Sequence, residues 1–189
     1  MSINLEKGGR INLSKEAPGL KSAGIGLGWD TNATDTGAEF DLDASVFMLG
    51  ANAKIPSEKY FVFYNNQESP DSSVKHLGDS RTGEGADDDE TVTVDLTKVD
   101  PAVQEIVFVV TIHEAESRRQ NFGQVRNAFI RIYDTTTNIE VTKYDLDEDF
   151  SRETAIEFGR LYKKDGEWRF QAVGQGYNSG LQSFVDKYN

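Results

Sequence analysis

The sequence predicts an all-β fold: an antiparallel β-sandwich of two sheets with a few short helices, built as a single domain over residues 1–189. Three observations predict it. Apolar and polar residues alternate through much of the chain, at the period of two that half-buried strands show. The alternating runs are short and punctuated by Gly, Asn and Asp, giving roughly eight to ten strands with almost no long helix. No strand–helix–strand alternation occurs, so the crossovers that a parallel sheet needs are missing. A length of 189 residues fits one domain, and a hydrophobic content of 37% is enough to pack a core.

The elements follow in order. Ile3 to Leu13 holds two short alternating pieces split by Gly8-Gly9, read as strand, turn, strand or as an edge strand with a bulge. Leu20 to Asp30 carries Gly24, Gly26 and Gly28. This spacing is not a dinucleotide fingerprint, because a polar loop and no helical pattern follows it. The glycines mark a strand that other groups approach closely. In Glu39 to Leu49, Phe40, Leu42, Ala44, Val46 and Met48 share the core face, while Asp41, Asp43 and Ser45 share the opposite one. Tyr60 to Tyr64 reads as a buried strand ended by Asn65-Asn66.

Thr91 to Leu96 alternates as a half-buried strand, and Asp100-Pro101 predicts one or two turns of helix. Ile106 to Ile112 is continuously apolar, as a central strand is. Glu114 to Val125 has room for a helical turn, and Ala128–Tyr133 and Ile139–Tyr144 read as partner strands. Tyr144-Asp145-Leu146-Asp147 echoes Phe40-Asp41-Leu42-Asp43, a faint sign of a repeat. Asp165-Gly166 between two alternating runs predicts a hairpin, with Trp168 and Phe170 facing the core. Leu181, Phe184, Val185 and Tyr188 fall on one helical face, predicting a terminal amphipathic helix capped by Asn178 or Ser179.

Composition excludes several functions. There are 32 Asp and Glu against 20 Lys and Arg, a formal charge of −12, so nucleic acid is not an expected partner. The absence of cysteine removes disulfides, thiolate metal sites and a Cys nucleophile. No apolar run resembles a signal peptide or a membrane span, so the expected location is cytoplasmic. Neither a nucleophile elbow nor a phosphate-binding loop is present, and the protein is not expected to be an enzyme. The two histidines read as structural, His113 after a buried strand and His76 as a surface or loop-packing residue.

The stretch His76 to Glu90, HLGDSRTGEGADDDE, concentrates carboxylates among glycines, with Arg81 its only Lys or Arg. Either solvent screens these charges or a hard cation sits among them. The paired Asp41 and Asp43 repeat the choice: an ordinary solvent-facing strand, or two carboxylates leaning toward one ion. The stretch is not an EF-hand, because Arg81 and Gly83 stand where that pattern requires other residues. Oxygen donors without His or Cys suit calcium or magnesium, and flexible glycines suit the looser calcium shell.

GLGWD at 26–30, FDLDAS at 40–45, HLGDSRTGEGADDDE at 76–90, RQNFGQVRNAFIRI at 119–132, YDL at 144–146 and GEWRFQAVGQGY at 166–177 run in order over nearly the whole chain. With these motifs the chain resembles the TerD family of tellurite-resistance and stress-response proteins. The resemblance implies a two-sheet β-sandwich that binds calcium through clustered acidic residues. It implies a place in a bacterial system for resistance to tellurite, phage and colicins, beside an integral-membrane partner and other proteins of that system, at the inner face of the membrane. The metal candidates it carries over are Asp41 and Asp43 from FDLD, Asp79, Asp88, Asp89 and Glu90 from the long stretch, and Asp30 from GLGWD, with Gly83 and Gly85 offering carbonyls or turns. The chain departs from the family pattern at Ser80, where an Asn is usual, and at Asp87, where a Gly is usual. Tellurite is an anion and this chain is strongly acidic and thiol-free, so direct detoxification is a poor fit and a calcium-dependent binding module a better one. The alternatives are a structural assembly protein with solvated acidic loops and a metal-dependent hydrolase built on the same carboxylates.

Overall fold

The computed structural model describes residues 1–31, 40–79, 88–147 and 150–189. Two six-stranded sheets pack face to face. The first places side by side β1 (Ile3–Leu5), β10 (Glu140–Asp145), β9 (Val125–Asp134), β3 (Ser22–Thr31), β7 (Glu90–Asp95) and β6 (Val74–Asp79). The second places β2 (Arg10–Asn12), β12 (Glu167–Tyr177), β11 (Ala155–Lys164), β8 (Val103–Ile112), β4 (Leu42–Gly50) and β5 (Phe61–Val62). The first two strands therefore join different sheets, and β1 lies parallel to β10 while the other pairs are antiparallel. The short helices are α1 (Leu13–Glu16), α2 (Ala115–Arg118) and α3 (Leu181–Tyr188).

The alternating residues meet between the sheets. Leu42, Ala44, Val46 and Met48 from β4 pack with Phe108, Phe158 and Phe170 of their own sheet and with Ile25, Val92 and Ile130 of the other. Apart from the small Ala44, each such buried side chain contributes about 1.5–3 kcal/mol relative to exposure. The opposite face of β4 is not left to water. Phe47 and Leu49, with Val107, Val109 and Ala155, form a second cluster beneath Phe184 and Tyr188 of α3. Ser45, which also faces away from the main core, is buried as well.

The predicted hairpin is present, with Asp165 at φ 55° and Gly166 at φ 75°. Both residues of this two-residue loop thus take the left-handed conformation that matches strand twist. The glycines of β3 are also accounted for: a Cβ on Gly24 would overlap the ring of Tyr133. Four expectations need correcting. Asp100-Pro101 starts no helix, because Asp100 accepts N–H bonds from Ala102 and Val103, closing a turn that leads straight into β8. In Tyr60–Tyr64 only Phe61–Val62 is strand, because Phe63 and Asn66 exchange backbone hydrogen bonds in a tight turn. Gly180 caps α3 through its carbonyl, which accepts from the Ser183 N–H, while Ser179 donates to the Ser183 hydroxyl instead. The echo between the two Asp-Leu-Asp motifs is not structural: one opens β4 and the other closes β10 in the opposite sheet.

Candidate functional site

The two sheets meet at an open seam between β4 and the β6–β7 pair. The reason is the shortness of β5, which covers β4 only at Val46 and Phe47. The Ala44 N–H lies beyond it and donates instead to Glu90 Oε2 of β7, at 2.9 Å. His76 of β6 places Nε2 3.0 Å from the same oxygen, and its Nδ1 accepts the Gly78 N–H at 3.1 Å. Glu90 is 4% exposed and His76 6%. One carboxylate thus serves as a strand partner for β4 and a tie to β6.

The Glu90 hydrogen bond and charge raise the His76 pKa, with burial opposing them. The Gly78 N–H needs a lone pair on Nδ1, so the geometry describes a neutral ring that carries its proton on Nε2 and donates it to Glu90 Oε2. His76 is therefore a buried link between elements and not a surface residue. The signal was available: His76 stands on the inward side of a strand that runs into the acidic stretch.

Asp43 lies beside this tie. Its carboxyl is pushed up to about 6, first by burial, then by the charges of Asp41 and Glu90, against the opposing influence of His113 and His76. It lines an open pocket of about 890 Å³ with Tyr64, Thr111, His113 and the start of α3. The Asp41 carbonyl accepts the His113 N–H at 2.7 Å, which anchors the backbone leading into β4. The fold thus brings the Asp-Leu-Asp strand and the end of the long acidic stretch together at one edge.

The carboxylates of Asp88, Asp89 and Asp30 point elsewhere. Asp88 meets Arg131 with both oxygens, at 2.8 Å each. Asp89 Oδ2 accepts the Trp29 N–H at 2.7 Å. Asp30 Oδ2 accepts from Asn127 at 2.7 Å and lines a separate pocket of about 510 Å³ with Lys143, Asp145 and Asp147. Asp79 closes β6, its backbone opposite Glu90. Gly83 and Gly85 lie outside the described residues, as do Ser80 and Asp87. Among the described residues, no three His, Asp or Glu side chains stand close enough to hold a metal ion unaided. The nearest carboxylates at this edge are Asp41, Asp43 and Glu90, whose charges act on one another through Asp43. Arg131 escaped sequence reading; its signal is a cation on the strand next to a strand of glycines.

A family model described as the TerD domain matches residues 1–188. Tellurium resistance protein TerD of Serratia marcescens is 54% identical over 188 residues, covering 100% of this chain and 97% of that protein. General stress protein 16U of Bacillus subtilis is 52% identical, with 100% of this chain and 97% of that protein covered. The crystal structure of a homologue of telluride resistance protein (TerD) from Streptomyces coelicolor A3(2) superposes with a TM-score of 0.66 over 88% of this chain and 96% of that one. At 24% identity it speaks for the fold alone.

Proposed function

We propose that this chain, which belongs to the TerD family of tellurium-resistance and stress proteins, is a calcium-binding module whose cation neutralises the seam between β4 and β7. The observation that supports the reading is that Glu90 reaches across to the backbone of Ala44, next to Asp43, so that Asp43, pushed up to about 6 by burial, also feels the negative charges of Asp41 and Glu90. Calcium would supply positive charge to oxygen donors with little directional demand. Asp43, Asp41 and the acidic stretch ending at Glu90 would hold it, the stretch furnishing the rest of the shell. Relief of the repulsion would fix the acidic edge in one arrangement and so present a surface to other proteins of the resistance system, including an integral-membrane partner. Among the described residues no helix is long and apolar enough to cross a membrane. Neither turnover nor a nucleophile enters this reading.

The test is calorimetric and thermal titration with calcium after chelator treatment, with magnesium as control. Calcium at a thousandfold excess over its dissociation constant stabilises the form it selects by about 4 kcal/mol. A rise of several degrees in melting temperature is expected, lost in Asp41→Asn/Asp43→Asn. No heat and no shift at millimolar calcium would sink the proposal and leave the acidic loops as solvated surface.

A second prediction concerns pH. The folded pKa of Asp43 is raised from 3.8 to about 6, so its contribution to stability is most favourable below 3.8 and is lost as pH rises through about 6. In chelator, the melting temperature should therefore carry a component that falls between pH 4 and pH 6 and is absent from Asp43→Asn. Protons and calcium compete for the same oxygens, so calcium affinity should weaken as pH drops through that window.

A further inference from the structure

Asp88 is not placed as a free ligand would be. Its carboxylate lies over Gly26, where a Cβ would overlap it. Arg131, opposite Gly26 on the neighbouring strand, meets it with Nε and a terminal nitrogen at 2.8 Å each. This is the two-pronged geometry in which a guanidinium fixes a carboxylate in orientation as well as distance. The Asp88 side chain is 7% exposed and that of Arg131 17%. Arg131 is itself held, by Glu140 at 3.6 Å and by stacking 5.0 Å from the ring centre of Tyr133, the ring that fills the space over Gly24. The following residues are tied to the same strand: the Asp89 N–H donates to the Leu27 carbonyl at 2.7 Å, its carboxylate takes the Trp29 N–H, and Glu90 stands opposite Leu27.

We propose that Asp88 is a positioning residue, clamped by Arg131 in the gap over Gly26, and that this clamp sets where Asp89 and Glu90 stand instead of contributing a ligand to the cation. The glycine leaves the space, the arginine fills the carboxylate's bonding directions with a fixed positive charge, and the strand β7 starts two residues later in the register that brings Glu90 to the seam. The clamp rests on the calcium reading only in its effect on affinity; its effect on the chain stands without calcium.

The two roles predict opposite signs. For a ligand, Arg131→Met frees both oxygens and removes a competing cation, so calcium binds more tightly. For a clamp, Arg131→Met, Arg131→Lys, Asp88→Asn and Gly26→Ala all weaken calcium, on the order of 10–100-fold as losses of supporting contacts do. The double variant Asp88→Asn/Arg131→Met would then be no worse than the weaker single one. Gly26→Ala is the sharpest variant, because it keeps both charged partners and removes only the space. The second readout is amide exchange of Asp89 in chelator, where the clamp predicts faster exchange in each variant that stays folded. Tighter or unchanged calcium binding in Arg131→Met, or an Asp89 amide as protected in Gly26→Ala as in the parent chain, would overturn the proposal. A parent chain that takes up no calcium would remove the calcium reading, and the exchange measurement would still decide the clamp.

Discussion

Replacing Glu90 by Ala is expected to lower the melting temperature by roughly 10 °C, because each of two buried donors left unsatisfied costs about 1–3 kcal/mol and each kcal/mol moves a chain of this size by about 2–4 °C. Two donors lose their acceptor at once: the Ala44 N–H, which β5 does not reach, and His76 Nε2. Neither can turn to water without opening the seam, since both residues of the pair are buried. Glu90→Gln should behave differently. Both donors converge on Oε2 alone, so an amide oxygen in that position accepts both bonds and only the charge is lost. Its stability loss should stay near 1 kcal/mol, the net worth of an ordinary hydrogen bond. Its calcium response should nevertheless fall, because the seam then carries one negative charge fewer. Thermal melts of the two variants in chelator and in calcium separate the structural from the electrostatic role of this side chain.

That dual role marks the boundary of what the sequence could reveal. Alternation exposed the core faces of β4 and β7, since side-chain direction in a strand is a local property. Asp165-Gly166 exposed its hairpin for the same reason. The family motifs identified the acidic stretch and the Asp-Leu-Asp strand as related, but nothing local says that Glu90 would close the gap left by a two-residue β5. Strand length at an edge is set by competing tertiary contacts, here the turn at Phe63–Asn66. The clamp on Asp88 was hidden for a similar reason: Gly26, Asp88 and Arg131 come from three separate strands or their ends, and only the register of β3 with β9 makes them neighbours. Composition likewise could not show that the outward face of β4 is apolar beyond Ser45 because a helix from the far end of the chain lies on it. An amphipathic pattern in α3 announced a buried face without naming what it covers.

Phe184→Ala tests that covering helix and reaches the acidic edge from behind. Phe184 is 1% exposed, meets Tyr177 edge to face at 4.9 Å between ring centres, and packs on Phe47 at 6.3 Å. Truncating a buried Phe to Ala typically costs about 3–5 kcal/mol, so the variant is expected to melt roughly 10 °C lower. Tyr188→Phe provides the contrast on the same helix. It keeps the ring and loses a hydroxyl 3.5 Å from Glu157, a carboxylate that Arg160 also pairs, so it should stay within about 1 kcal/mol of the parent. The consequence for the site follows from geometry. The start of α3, at Gly180 and Leu181, lines the same pocket as Asp43. Loosening α3 widens that pocket and lessens the burial of Asp43, the first cause of its raised pKa. In Phe184→Ala the Asp43 carboxyl, followed by NMR in chelator, should therefore titrate closer to its ordinary value of 3.8, whereas Tyr188→Phe should leave it near 6. An unchanged titration in a destabilised Phe184→Ala would mean that the sheet edge alone, through Asp41 and Glu90, holds Asp43 in its protonation state, and that the helix is a lid on the second core and nothing more.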